Sequence, residues 1–459
     1  MVHTFKMFDK YIALDVNSGC VHVMDKLCYD IINFMNVKHF APTSSEARFK
    51  LIDDLKYDYD RAEIGEALDD IIELYNDGML WSEDDFNVAA DLKKNSPIKA
   101  MCLHVSHDCN LRCKYCFADE GKYHSEKGEL MTAETGKKAM DFLVKNSGKR
   151  RNLEVDFFGG EPLLNFDVVK EVVEYARELE KKYDKNFRFT ITTNGILLDD
   201  DKIDYINKNM GNIVLSIDGR KEVNDRMRYR ADGSGSYDRI VPLFQKVAES
   251  RNQDNYYVRG TFTRENLDFS EDVIHLADLG FKQISVEPVV CGEETEYSLR
   301  EEDLPKIFEE YEKLVAEYVK RKKEGRGFNF FHFMVDLEEG PCIIKRLSGC
   351  GCGCEYLAVA PNGDVYPCHQ FVGHEEYKMG SLHDDNGLNT ELRSSFEKCN
   401  VYTKPKCRDC FAKFFCSGGC VANACLINGD MNEPHKLSCE MMKKRVECSL
   451  YAKAALAED

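Results

Sequence analysis

Cys109-Asn-Leu-Arg-Cys113-Lys-Tyr-Cys116 sets three thiols on one short stretch in a C-x3-C-x2-C spacing, with Phe117 directly behind. Three thiolates on one loop can hold three irons of a [4Fe–4S] cube, which normally takes four cysteines. The remaining iron is then free for a ligand that the loop does not supply. Zinc is the other chemistry such thiols serve. A second crowd lies near the carboxyl end: Cys407-x2-Cys410-x5-Cys416-x3-Cys420, followed by Cys439. Upstream of it stand Gly363-x4-Cys368 and the run Cys350, Cys352, Cys354. Here too, two zinc sites compete with two clusters.

These residues need elements to position them. Strand-like apolar runs cover residues 98–105, 153–158, 187–192, 213–217, 256–262 and 283–289, with helical periodicity at 132–144 and 168–182 among the segments between them. Strand–helix alternation predicts a parallel sheet, with active loops at the strands' carboxyl ends. Every short motif falls there: the cysteine triplet, Gly159-Gly160-Glu161-Pro162, Thr193-Asn194-Gly195 and Ser216-Ile217-Asp218-Gly219.

Ahead of the barrel, residues 11–23 alternate apolar positions around Asn17-Ser18-Gly19, which signals a β-hairpin. Helical periodicity follows at 27–35, 45–55 and 64–75, and Asn76-Asp77-Gly78 stops the last helix. Residues 1–90 thus read as a winged-helix-like α+β module, and 91–97, ending in Asn95-Ser96-Pro97, as a linker. The formal net charge of −19 argues against a nucleic-acid partner. No run of eighteen apolar residues marks a membrane span, and the amino terminus lacks a signal-peptide pattern, so a cytoplasmic protein is expected. Twenty cysteines in a cytosolic chain point to metal ligands or working thiols rather than disulfides.

The triplet and the three downstream motifs, in their order, resemble the radical S-adenosylmethionine (SAM) superfamily. That resemblance implies an α/β fold built on a partial (β/α)6 TIM barrel, here residues 98–325. It implies that the open iron chelates SAM, whose reductive cleavage leaves a 5′-deoxyadenosyl radical that abstracts hydrogen from a substrate. Roles carry over motif by motif. Cys109, Cys113 and Cys116 bind the catalytic cluster, and Tyr115 and Phe117 flank it, Tyr115 beside the adenine. Gly159 and Gly160 let the backbone approach SAM, Glu161 accepts from its ammonium group, and Thr193 and Asn194 belong to the same pocket. Ser216 and Asp218 match ribose and carboxylate contacts. Arg239 is a candidate partner for the SAM carboxylate, with an ion pair on a helix surface as the competing reading.

Residues 326–459 resemble the cysteine-rich SPASM domain, which carries two auxiliary [4Fe–4S] clusters, making three in all. By that pattern Cys407, Cys410, Cys416 and Cys439 hold the second auxiliary cluster. Cys368 and Cys420 hold the first, with Cys350 or Cys352 as a third ligand and an open fourth site expected for a substrate thiolate. The hairpin around residues 14–19, Ser348-Gly-Cys-Gly-Cys352 and Tyr366-Pro-Cys-His-Gln-Phe371 are similar to maturases of SCIFF peptides, which carry six cysteines in forty-five residues. The resemblance implies a thioether cross-link from a cysteine sulfur to carbon in a cysteine-rich precursor peptide, bound through its leader. It also implies a small redox protein as electron donor. Two other readings stay open: a sulfatase-type maturase oxidising a Cys or Ser residue, and a non-catalytic iron–sulfur electron carrier or peptide scaffold. Sulfatase maturases carry an aspartate base directly after the Gly-x4-Cys cysteine, where this chain has His369.

Overall fold

The computed structural model describes residues 1–89, 96–124, 128–292, 294–337, 342–384 and 387–457. Most of the expected linker, residues 91–95, lies outside them. Strands β1 (Val2–Met7), β2 (Lys10–Asp15) and β3 (Val21–Met24) form an antiparallel sheet in that order. Asp15 closes the expected hairpin turn: its Oδ1 accepts from Ser18 N at 2.9 Å. Helices Lys26–Lys38, Ser45–Leu55 and Arg61–Asn76 follow, each started by a side-chain cap from Asp25, Ser44 and Asp60. Three strands and three helices make up this module, and its sheet is shared with the barrel's core. Phe5, Met7, Ile12, Leu14 and Val16 are buried in the same apolar core as the barrel and the last helix, Lys436–Leu456.

The six expected barrel strands all form. They are β4 (Ala100–Ser106), β6 (Asn152–Gly159), β7 (Asn186–Thr193), β8 (Asn212–Ser216), β10 (Tyr256–Phe262) and β11 (Gln283–Pro288), all parallel. Two short strands between them, β5 (Leu111–Cys113) and β9 (Arg228–Arg230), pair with each other antiparallel. Among the described residues the main sheet is larger than a six-stranded barrel. It runs β12-β11-β10-β8-β7-β6-β4-β13-β14-β15, where β12 is Asn329–Phe330, β13 Tyr356–Val359, β14 Asp364–Tyr366 and β15 Gly380–Ser381. Strand β12 adds to β11 in parallel, so the boundary drawn after residue 325 cuts the barrel short. Strand β13 adds in parallel to β4, Tyr356 opposite Ala100 through Val359 opposite Leu103. The cysteine-rich segment therefore extends the barrel sheet at the strand that leads into the triplet. Alternation could not reveal this, because β13 is four residues long and begins inside a glycine–cysteine run. The helix Lys436–Leu456 returns to pack against the barrel helix Leu304–Lys323. Among the described residues no helix is long and apolar enough to cross a membrane.

Candidate active site

The triplet leaves the carboxyl end of β4 and is pinned from two sides. In the β5–β9 ladder Cys113 lies opposite Arg228, and Lys114 N donates to Met227 O at 3.0 Å. On the other side, Gly160 N donates to Ser106 O at 2.7 Å and Glu161 N to Asp108 O at 2.9 Å. Gly159 takes φ +124°, and a Cβ there or at Gly160 would fall inside the carbonyls of Ser106 and Asp108. The room those glycines leave is thus filled by the cluster loop's own backbone.

Glu161 is fully buried and ties three loops together. Its Oε1 accepts from Leu163 N (3.0 Å) and Thr193 Oγ1 (2.7 Å), and its Oε2 accepts from Asn194 N (2.8 Å). Burial pushes this carboxyl up to about 7, against the pull of those three donors. Asn194 reaches onward: its Nδ2 donates to Asn110 Oδ1 at 2.7 Å and lies 3.6 Å from Cys109 Sγ. Gly195 holds φ +79° with Phe244 packed where a side chain would stand. Ser216 ends β8, half-buried at the same rim.

Asp218 is also fully buried, and its partners are protein groups. The Tyr115 hydroxyl donates to it at 2.7 Å, Thr261 N donates at 3.1 Å, and Arg228 Nη1 lies 4.0 Å away. Burial raises its carboxyl to about 6. Tyr115 therefore presents its hydroxyl to an internal Asp–Tyr–Arg network, a use that its place in the triplet did not announce. Arg239 is exposed on the helix Tyr237–Ser250 and donates to Leu198 O at 3.2 Å, bracing the loop after β7. The buried arginine at this site is Arg228, which sequence reasoning missed. Nothing in Arg226-Met-Arg-Tyr-Arg230 marks one of three arginines as internal. Phe117 is 49 % exposed and points across the mouth, its ring 5.8 Å from that of His369. Phe158 lies 5.1 Å from His369 as well, and burial holds that imidazole down at about 4, hence neutral near pH 7.

The carboxyl-terminal thiols gather in two sets. Cys407, Cys410, Cys416 and Cys439 lie within Coulombic reach of one another. In the other set, Cys352 and Cys368 share a hydrogen bond, with Cys350 and Cys420 in Coulombic reach. Cys350 and Cys352, the two cysteines flanking Gly351, thus both act on the Cys368 region. The reversal of the chain at Gly351, φ +80°, brings two residues of one short loop to the same place. Cys354 is fully buried in the same smaller apolar cluster as Cys352, Cys368 and Phe396. Among the described residues, no three Cys, His, Asp or Glu side chains close up as they would on a single metal ion.

Residues 103–277 match the radical SAM superfamily, and residues 350–411 match the SPASM iron–sulfur cluster-binding domain. The chain carries a radical SAM domain and a SPASM domain. A cysteine-type anaerobic sulfatase-maturating enzyme of Clostridium novyi is 25% identical over 335 residues, 70% of this chain and 86% of its own. Among solved structures, anSMEcpe with bound AdoMet and a Kp18Cys peptide superimposes with a TM-score of 0.65 at 20% identity, over 79% of this chain and 99% of that one. Streptococcus suis SuiB bound to precursor peptide SuiA gives 0.52 at 19% identity, over 95% and 98%. These similarities show the fold.

The radical SAM and SPASM domains imply SAM and iron–sulfur cofactors, and the residues present fit them. Three thiols stand on one pinned loop, and Asn110 Nδ2 and Arg228 Nε are buried beside it with no hydrogen-bond partner. Such orphaned donors are the groups that a carboxylate or a cluster sulfur would accept from.

Proposed function

We propose that this radical SAM enzyme matures a ribosomally made, cysteine-rich precursor peptide by joining a cysteine sulfur to a carbon as a thioether. The observation that carries the peptide half of this reading is an open sheet edge. Strand β3 has β2 on one side and no strand on the other among the described residues. A cavity of about 1000 Å³ lies alongside, lined by Val21, Val23, Tyr318, Phe333, Met334 and Leu456 among others. An extended leader can add there as a fourth strand, drawing affinity from main-chain hydrogen bonds and specificity from the apolar wall. SuiB, which shares the fold over nearly the whole chain, has been solved with its precursor peptide.

When bound, three [4Fe–4S] clusters and SAM supply a primary carbon radical and sites that take up an electron. The chain's own residues do the rest. Cys109, Cys113 and Cys116 would hold the SAM-binding cluster, and Glu161, Asn110 and Ser216 would orient the cofactor. Phe117, Phe158 and His369 would wall the substrate chamber. Forming the thioether removes one hydrogen atom from carbon and one proton from the thiol, and leaves one electron. Cys368, Cys420 and Cys350 or Cys352 would hold an auxiliary cluster, which would supply a site that takes up that electron. A small redox protein would deliver the reducing electron at the start. The sulfatase-type reading draws support from the Clostridium novyi relative, but His369, neutral and half-buried, replaces the aspartate which that chemistry uses as base.

The test is incubation of the reconstituted, reduced protein with SAM and a leader-bearing cysteine-rich peptide. The expected products are 5′-deoxyadenosine and a peptide lighter by two hydrogens with one fewer alkylatable thiol. An aldehyde in the product would favour sulfatase-type oxidation, and absence of 5′-deoxyadenosine would favour an electron carrier.

A further inference from the structure

We propose that Arg228 is a positioning residue for the radical reaction, supplying the fixed positive charge that balances the Cys113 corner of the cluster site. This rests on the functional reading above. Arg228 opens β9, and its backbone lies opposite Cys113 in the short ladder that pins the triplet. Its side chain is folded inward: the residue is 9% exposed. Nη1 donates to the Tyr115 hydroxyl at 2.8 Å and lies 4.0 Å from Asp218 Oδ1. Nε is buried with no hydrogen-bond partner.

A guanidinium has five donors and keeps its charge at every relevant pH, so a buried one is matched by acceptors and anions. Asp218 stands at a distance too long for a direct bond and is bridged through the Tyr115 hydroxyl, and the buried Glu161 carboxyl lies in the reach of the same charge. Directly across the antiparallel ladder, and so on the same face, stands the side chain of Cys113, a ligand of the cluster the triplet would hold. Three thiolates on one cluster are a concentrated negative charge, and the low-dielectric surroundings make a neighbouring cation effective. Reduction adds one more negative charge, so a cation fixed at Cys113 favours the reduced cluster and raises its reduction potential. Arg239, exposed and bonded to a loop carbonyl, is not placed to do this.

The test uses the reconstituted holoenzyme as wild type, Arg228→Met, Arg228→Lys and Tyr115→Phe, with iron counted first. The readout is the midpoint potential of the cluster whose EPR signal shifts on adding SAM, with the auxiliary clusters as internal controls. Arg228→Met should move that potential to a more negative value and leave the auxiliary clusters unmoved. Arg228→Lys keeps the charge and should recover most of the difference, and Tyr115→Phe should stay near wild type. A wild-type potential in Arg228→Met, or equal displacement in all three variants, would overturn the proposal. If Arg228→Met fails to hold the triplet's cluster, Arg228→Lys decides: a wild-type-like cluster supports the charge role, and loss in both contradicts it. Failure of the wild type to cleave SAM would instead strike the functional reading.

Discussion

Glu161 shows how much a single carboxyl can be asked to do. Its three hydrogen bonds join the triplet's neighbour loop to the Thr193-Asn194 loop, while burial holds it near 7. A buried acid with a raised pKa contributes stability that is fully present below its unfolded value, about 4.3, and lost as pH rises through about 7. The SAM-free protein should therefore melt at lower temperature at pH 8 than at pH 5.5. A bound ammonium reverses the preference, so affinity for SAM should rise as pH passes through 7, measured by titration calorimetry. Glu161→Gln should flatten that profile and weaken binding about tenfold or more, the worth of one charge-assisted hydrogen bond of about 1.5–3 kcal/mol. A Glu161→Gln protein with wild-type affinity and the same pH slope would remove Glu161 from the binding site. At this scale the sequence was legible where chemistry needs a fixed spacing, as in Cys109, Cys113 and Cys116. It did not show the protein partners of Asp218 and the two glycines, which come from distant stretches, and was silent on Arg228. Hydrogen bonds across more than 100 residues, such as Tyr115 to Asp218, leave no local pattern.

Strands, helices and caps were readable because periodicity and capping chemistry are local: Thr132 caps the helix Ala133–Asn146 through its bond with Thr135 N at 3.1 Å. What the cysteine-bearing loops lean on was not. The ligand loop between Cys410 and Cys416 is clamped by residues from the amino-terminal region. His3 stacks on Phe411 with ring centroids 3.5 Å apart, Phe86 meets Phe414 edge-on at 5.1 Å, and Asp84 pairs with Lys413 at 2.8 Å. Lys413 is only 4% exposed, and Tyr402 donates to the same carboxylate at 2.6 Å. Removing the carboxylate strands a buried ammonium, which costs about 3–5 kcal/mol when both partners are buried. Asp84 is partly solvated, so the lower end applies. Asp84→Ala should lower the denaturation midpoint accordingly and speed loss of iron from the second auxiliary site, while the triplet's iron stays. Unchanged stability and unchanged iron release would mean that the clamp is incidental.

At the scale of the molecule, the ten-stranded sheet joins the barrel to the cysteine-rich segment, and the largest core joins both to the amino-terminal strands. The amino-terminal module contributes Phe5, Met7, Ile12 and Leu14 to the barrel's core, so deleting residues 1–90 should yield aggregated protein rather than a leaner enzyme. Peptide recognition is better probed by Val23→Asp on the open β3 edge, where Val23 is 49% exposed. That change should weaken leader binding about tenfold, the loss of one apolar side-chain contact, and leave SAM cleavage without peptide at its wild-type rate. Equal leader affinity in a fluorescence-anisotropy titration would place the leader elsewhere. The central claim is that Cys109, Cys113 and Cys116 build the SAM-cleaving site while the carboxyl-terminal thiols hold separate clusters. Replacing all three triplet cysteines with Ala, then reconstituting and counting iron alongside 5′-deoxyadenosine, tests it most directly. The expected result is about eight irons per chain, from two four-iron clusters, and no SAM cleavage. Retained cleavage, or iron lost from every site together, would contradict it.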